Sequence, residues 1–105
     1  MVSSNFTNIL IIRNKNFYRE VDLNLLHEEH IKIGNTDECS IKVKLPFRDS
    51  ITIQLNKVNK SWQVEELENA HLTFNGIHGA SKILNNGDQI IIKDKICLLY
   101  TSRCV

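Results

Sequence analysis

The sequence has little net charge and no long apolar run, and each absence excludes a class of protein. Its 105 residues carry a formal net charge of +1, which is too small to attract nucleic acid or an acidic membrane from a distance. No run approaches the roughly 20 apolar residues that span a bilayer. Residues 1–12 also lack the basic start and small-residue cleavage site of a signal peptide. We therefore expect a cytosolic segment that is not inserted in a membrane and binds no nucleic acid.

Alternating apolar and polar residues indicate β-strands along most of the chain. Apolar positions fall on one face in segments 17–25, 41–45, 51–56 and 61–65. The alternation breaks at Leu67, which predicts a bulge or the end of a strand. A buried face opposite a wet face is typical of antiparallel sheets. No segment carries an apolar stripe at helical spacing, so we expect no substantial helix.

Asparagine-glycine pairs mark two of the turns between these segments. Asn75-Gly76 and Asn86-Gly87 provide positive φ angles at low cost, as tight hairpins require. Short strands separated by frequent turns predict an all-β fold, a sandwich of two antiparallel sheets. At this length the chain can form one domain around one core, with Trp62 and the isoleucines at its centre.

The last nine residues, Cys97 to Val105, look foreign to the rest of the chain. They resemble the translation of a transposon end used to prepare sequencing libraries, joined to its own reverse complement, and the next codon of that palindrome is a stop. We therefore expect one domain at 1–96, the first part of a longer protein, and a sequencing-adapter artefact at 97–105. A native strand is the alternative, since Leu98 and Tyr100 alternate acceptably. If these residues are an artefact, we expect them to pair as an edge strand that ends near Tyr100, followed by a loose tail.

Residues that often serve catalysis or metal binding do not form a recognisable motif. His27 and His30 lack the His-Glu-x-x-His spacing, and a solvated turn explains them better than a metal site. Neither a Gly-x-Ser-x-Gly elbow nor a phosphate-binding Gly-x-x-x-x-Gly-Lys loop occurs. If Cys97 and Cys104 belong to the artefact, Cys39 remains alone, which leaves no basis for a disulfide or a zinc site. We expect a non-enzyme without cofactor or metal.

Four short motifs follow one another in the order found in forkhead-associated (FHA) domains. They are Ile33-Gly34, Trp62, Asn75-Gly76 and the segment Gly87-Asp88-Gln89-Ile90. Residues 8–96 thus resemble an FHA domain, whose family reads phosphothreonine peptides with loops at one end. The resemblance implies an FHA/SMAD-like β-sandwich of two antiparallel sheets.

The resemblance also implies where a phosphate site would lie, and that this chain has lost it. The family uses an arginine, a serine and an asparagine there, and the matching positions hold Asn35, Phe47 and Ala70. Asn35 cannot supply the charge of a guanidinium to a phosphate dianion. We expect the same loops to dock another protein instead. The expected binding residues are Asn35, Thr36, Phe47, Arg48, Asp49, Ser50, Asn69, Ala70 and His71.

Two more specific functions follow from the resemblance. The turn 33–35 and the segments 61–64, 84–88 and 90–92 are similar to the amino-terminal FHA-like domains of the EssC/YukB ATPases of type VII secretion. That similarity implies a docking module on the cytosolic side of a membrane-anchored motor of the FtsK/SpoIIIE type, with other secretion components as partners. The motor motifs themselves are absent from this sequence. The alternative is a working phosphothreonine reader whose cation comes from Arg48 or Lys44.

Overall fold

A computed structural model describes residues 6–15, 17–26, 28–43, 48–59 and 61–104. Within them, eleven strands and one short 3-10 turn (Leu23–Leu25) make up the regular structure. The strands are β1 (Phe6–Asn14), β2 (Phe17–Asp22), β3 (His30–Gly34), β4 (Ile41–Lys42), β5 (Thr52–Val58), β6 (Ser61–Glu68), β7 (Leu72–Phe74), β8 (Ile77–His78), β9 (Ser81–Ile83), β10 (Gln89–Ile92) and β11 (Ile96–Cys104).

The strands form two sheets, as the alternating pattern predicts. One sheet has six strands in the order β2-β1-β11-β10-β7-β8, and the other has five in the order β4-β3-β5-β6-β9. Neighbouring strands are antiparallel except for β3 and β4, which run parallel over a short stretch. The predicted all-β sandwich is therefore confirmed. In this part of the chain no helix has the length and apolar composition needed to cross a bilayer.

The inward faces of the two sheets share one apolar core. Leu10, Leu55 and Ile90 are fully buried, and the indole of Trp62 is only 2% exposed. Trp62 and most of the isoleucines lie in this core, as predicted. Burial of side chains of this size from both sheets is the main force that holds the layers together.

Two details of the strand pattern show where local sequence is a good guide and where it is not. The pairing of β5 with β6 shifts register where Ile53 faces Glu66 and Thr52 faces Glu68, which leaves Leu67 as the extra residue. The predicted bulge at Leu67 is therefore confirmed. The predicted single strand over 17–25 is wrong, because β2 ends at Asp22 and the 3-10 turn follows. That turn begins where the Asp22 carboxylate accepts a bond from the Asn24 N–H.

The two Asn-Gly pairs play different roles. Asn75 and Gly76 both have positive φ and connect β7 to β8 in a two-residue hairpin, as predicted. Asn86-Gly87 connects β9 to β10, and these strands belong to different sheets. The prediction of a hairpin at Asn86-Gly87 is therefore wrong. The residues on either side of Asn86-Gly87 alternate as they would in a hairpin, but the chain crosses from one sheet to the other at this turn.

The position of β11 differs from the expected edge strand. β11 extends to Cys104 and lies between β1 and β10, so it is an interior strand. Leu98 and Tyr100 point into the core, and the Tyr100 hydroxyl donates to Asn8 Oδ1 at 2.9 Å. The expectation of an edge strand ending near Tyr100 is thus wrong, because strands on both sides pair with this segment. The foreign origin of residues 97–105 stays a prediction.

Candidate functional site

Several loops leave the sandwich at the same end. Gly34 at the end of β3 pairs with Thr52 at the start of β5, and Thr52 pairs with Glu68 at the end of β6. The loops that follow β3, precede β5 and connect β6 to β7 are therefore neighbours. The turn between β10 and β11 joins them from the other sheet, since the Lys93 N–H donates to the carbonyl of Ala70 at 3.1 Å. These loops, with residues 35–36, 48–51, 69–71 and 93–95, together form what we call the loop surface.

Asn35, which is predicted to match the family arginine, links the loop after β3 to the loop before β5. Its Nδ2 donates to the Asp49 carbonyl at 2.9 Å, and its Oδ1 accepts from the Ile51 N–H at 2.8 Å. Its backbone N–H donates to the Ile51 carbonyl at 3.2 Å. Gly34 permits this approach, because a Cβ there would lie 2.0 Å from the Ile51 oxygen. The Asn35 amide is therefore engaged inside the protein at both ends.

The loop between β6 and β7 has an unusual backbone. Asn69 and His71 have φ angles of 51° and 47°, in the left-handed region that favours glycine. Asparagine and histidine occur in this region more often than other non-glycine residues, but the conformation still costs histidine about 1 kcal/mol. Asn69 Nδ2 donates to the Ser50 carbonyl at 3.3 Å. Ala70 is fully buried between these residues, so it offers the loop surface only its backbone.

His71 lies at the rim of a small groove beside this loop. The groove has a volume of about 280 Å³ and is bounded by β6, by the β7–β8 hairpin and by the segment that follows it. His71 and His78 are both exposed there. The carboxylate of Glu66 also lines the groove, and its Oε1 accepts from the Leu72 N–H at 3.3 Å. The groove is shallow and open, and its lining is more apolar than polar.

The other predicted residues are distributed around the loop before β5. Arg48, Asp49 and Ser50 are exposed, and Asp49 Oδ2 lies 3.5 Å from Lys93 Nζ in an ion pair. Thr36 is half-buried, with its hydroxyl 3.3 Å from the sulfur of Cys39. Phe47, which was predicted as a binding residue, lies outside the described residues. Lys44, a candidate cation of the alternative function, lies outside them as well.

Lys93 belongs to the loop surface but was missed by the sequence analysis. Lys93 and Asp94 have φ angles of 49° and 58°, and the Lys95 N–H donates to the Ile92 carbonyl at 3.0 Å. This is the geometry of a type I′ turn, which normally favours Asn-Gly. The signal in the sequence was the charged triplet between two isoleucine-rich strands. Its position beside Asp49 and Ala70 follows only from the strand order.

Clusters that could hold a metal ion are missing from this part of the chain. Among the described residues, no three or more His, Cys, Asp and Glu side chains come together as a metal site would require. His27, the first of the two histidines weighed as metal ligands in the sequence, lies outside the described residues. Cys39 and Cys97 are free thiols.

Comparison with known proteins identifies the fold. No protein-family model matches the chain, and no curated protein matches it. The Synechocystis protein Slr1951 superposes with a TM-score of 0.77 at 24% identity, over 94% of this chain and 98% of that one. The FhaA FHA domain in complex with the intracellular domain of Rv3910 gives 0.67 at 16% identity, over 92% and 100%.

A further similar structure is the yeast Dun1 FHA domain in complex with a doubly phosphorylated peptide derived from Rad53. It superposes with a TM-score of 0.65 at 17% identity, over 97% of this chain and 78% of that one. At these identities the similarity establishes the fold alone. The chain therefore has the β-sandwich fold of FHA domains.

Proposed function

We propose that this chain is a non-catalytic protein-docking module that uses the loop surface. The observation that carries the proposal is the way residues 49–51 are held. Asn35 binds the backbone of Asp49 and Ile51, and Asn69 binds the carbonyl of Ser50. Loops held on a rigid sandwich in this way form a preorganised surface, which lowers the entropy lost on binding.

The similar structures support a protein segment as the ligand. The Dun1 FHA domain was solved with a phosphorylated peptide, and the FhaA FHA domain with a domain of another protein. Both ligands are parts of proteins. We therefore propose that this chain, with the same fold, also docks a protein segment at its loops.

We further propose that the phosphothreonine site is lost. At the position of the family arginine, the Asn35 amide carries no charge and is bonded at both ends to the backbone of the neighbouring loop. The amide keeps one further N–H and one lone pair, but neither supplies the positive charge that a phosphate dianion selects. Asn35 thus supports docking by shaping the surface rather than by holding a phosphate.

The wider context we propose is a type VII secretion ATPase. The turn Ile33-Gly34-Asn35 supports this proposal by its similarity to the amino-terminal domains of those proteins. The domain would then lie on the cytosolic side of the membrane and dock other secretion components. The genomic contig tests this: the reading frame extended beyond Ile96 should encode transmembrane segments and Walker-type motifs. A native stop codon shortly after Ile96 would contradict it.

Site-specific photo-crosslinking tests the docking function itself. A photoreactive amino acid at Thr36, Ser50 or His71, in the natural full-length protein in its own cells, should crosslink to one discrete protein. The same amino acid at Leu25 or Asn59, which lie at the opposite end and are exposed, is the matched control. Crosslinks to the same protein from both ends, or from neither, would contradict a docking surface at the loops.

A working phosphothreonine reader is the second candidate. The observation in its favour is the exposed Arg48 beside Ser50, a cation next to a hydroxyl on the loop before β5. Titration of the domain with phosphorylated and unphosphorylated forms of one peptide distinguishes the candidates. A reader should prefer the phosphorylated form by about 1.4 kcal/mol, or tenfold, or more. Equal affinities would leave the docking function without phosphate recognition.

A further inference from the structure

The ion pair between Lys93 and Asp49 joins a well-packed cation to an exposed anion. Their charged groups lie 3.5 Å apart, and the side chain of Lys93 is 21% exposed while that of Asp49 is 70% exposed. The stem of Lys93 is thus packed against the protein, with its ammonium at the loop surface. The carboxylate of Asp49 faces solvent. Because water reaches the Asp49 carboxylate, the pair adds little stability and opens at low cost.

The backbone of the β10–β11 turn fixes the position of this cation. The Lys93 N–H donates to the Ala70 carbonyl, and the turn holds Lys93 and Asp94 at positive φ. Aspartate tolerates that conformation, whereas lysine rarely adopts it, and asparagine or glycine at position 93 would form the turn at lower cost. Strained backbone that persists in a fold is a reason to look for a function at that position. Here it places a lysine between the β6–β7 loop and the loop before β5.

The anion can leave without disturbing the loop that carries it. Asn35 Nδ2 holds the backbone carbonyl of Asp49, and Asn69 Nδ2 holds that of Ser50. Rotation of the Asp49 side chain would therefore remove this carboxylate from Lys93 while the backbone stays bonded. Arg48, the preceding residue, is exposed and adds a second positive charge at the same loop.

We propose that Lys93 is the anion-binding point of the loop surface and that Asp49 occupies it in the free protein. A carboxylate of the partner segment would replace Asp49 on Lys93. The inference rests on the proposed docking function and specifies the chemistry that this docking selects. Asp49 then acts as an internal competitor, so segments without a negative charge gain nothing by displacing it.

NMR titration with three short peptides that differ only at the central residue tests this inference. That residue is threonine, glutamate or phosphothreonine, and the signals are the backbone amides of 48–50, 69–71 and 93–95. The glutamate peptide should shift these amides more strongly than the threonine peptide. A preference of about tenfold or more for phosphothreonine over glutamate would identify phosphate recognition, the second candidate function, and would overturn the choice of a carboxylate. Failure of the glutamate peptide to exceed the threonine peptide would overturn the proposal as well.

Variants of the two residues separate the competitor from the binding point. Asp49→Asn should bind the acidic peptides about three- to tenfold more tightly, because the internal anion is gone. Lys93→Gln should bind the acidic and threonine peptides alike, whereas Lys93→Arg should keep the preference. Lys57→Gln, at the opposite end, is the control and should match the unmodified protein. Unchanged affinity in Asp49→Asn, or an intact preference in Lys93→Gln, would contradict the inference.

The crosslinking experiment distinguishes failure of the docking function from failure of this inference alone. Crosslinks from the loop surface, together with peptide affinities that do not depend on Lys93, would leave the docking function standing and remove only this inference. Absence of crosslinks from the loop surface would count against the docking function itself.

Discussion

Asp88 connects both sheets and provides the most quantitative test of the structure. Its Oδ2 accepts from Lys82 Nζ at 2.5 Å and from the Asn85 N–H at 2.8 Å, and its Oδ1 accepts from Asn75 Nδ2 at 3.1 Å. The residue is 8% exposed. These bonds join the crossover turn to β9 in one sheet and to the β7–β8 hairpin in the other. Asp88→Asn should therefore loosen the contact between the layers.

The expected loss follows from these contacts. Asparagine keeps one acceptor oxygen but places an N–H₂ group where Oδ2 accepts two bonds, so the Lys82 ammonium loses its anion. Hydrogen bonds to charged groups contribute about 1.5–3 kcal/mol each. Because the Lys82 side chain is 31% exposed, water restores part of the loss. We expect Asp88→Asn to lower the free energy of unfolding by about 2–4 kcal/mol near pH 7.

The loss should depend on pH in a defined direction. Burial alone would raise the pKa of the Asp88 carboxyl, but bonds from Lys82, Asn85 and Asn75 outweigh it, so the pKa lies below its ordinary value of 3.8. A lowered pKa in the folded protein contributes stability above the unfolded pKa, and this contribution disappears as pH falls through the folded pKa. The difference between Asp88→Asn and the unmodified protein should be constant near neutral pH and shrink below about pH 4.

Urea unfolding followed by fluorescence measures this directly, because Trp62 is the single tryptophan and is buried. The control is Glu68→Gln, an exposed carboxylate on β6 that should change stability by less than about 0.5 kcal/mol. If Asp88→Asn unfolds at the same urea concentration as the unmodified protein at pH 7, the proposed role of the carboxylate is wrong. A difference that stays as large at pH 3 would refute the electrostatic explanation.

Three further substitutions test the loop surface and the core by the same unfolding measurement. His71→Gly should stabilise the protein by about 1 kcal/mol, because glycine adopts the positive φ of this position without strain. Alanine keeps the Cβ, so an equal gain in His71→Ala would rule out this cause. Gly34→Ala should cost more than about 3 kcal/mol, because the added Cβ meets a backbone oxygen at 2.0 Å. Gly76→Ala, with open space around it, should cost only about 1 kcal/mol, and equal costs would dismiss the steric argument. Leu98→Ala should cost about 2–5 kcal/mol, well above Leu99→Ala on the outer face; a reversed order would mean that β11 is misplaced.

Local features of this fold could be predicted from sequence because nearest neighbours determine them. The hairpin at Asn75-Gly76 requires only residues that adopt positive φ, and the bulge at Leu67 requires only a break in alternation. The order of the FHA motifs likewise led to the correct sandwich. Each of these signals is contained in a few consecutive residues.

Features that depend on strand order could not be predicted in this way. The interior position of β11 depends on which strands lie beside it, and alternation is the same for an edge strand and an interior one. The role of Lys93 depends on contact between turns of different sheets. The inward bonds of Asn35 depend on the loop before β5 returning to β3. Sequence showed that Asn35 lacks a charge, but the structure was needed to show what its amide does.

The pairing of β1 with β11 has a consequence for how the chain folds. Ile9 lies opposite Thr101 in the sheet, and the bond between Asn8 and Tyr100 spans 92 residues. Contacts between such distant residues form slowly, because the loop they close loses much of its entropy first. During synthesis, β1 and β2 can pair as a hairpin before β11 has been made. Until β11 pairs with it, the other edge of β1 has unpaired backbone groups that can bond to another chain. Aggregation should therefore depend on how quickly β11 is synthesised and pairs with β1.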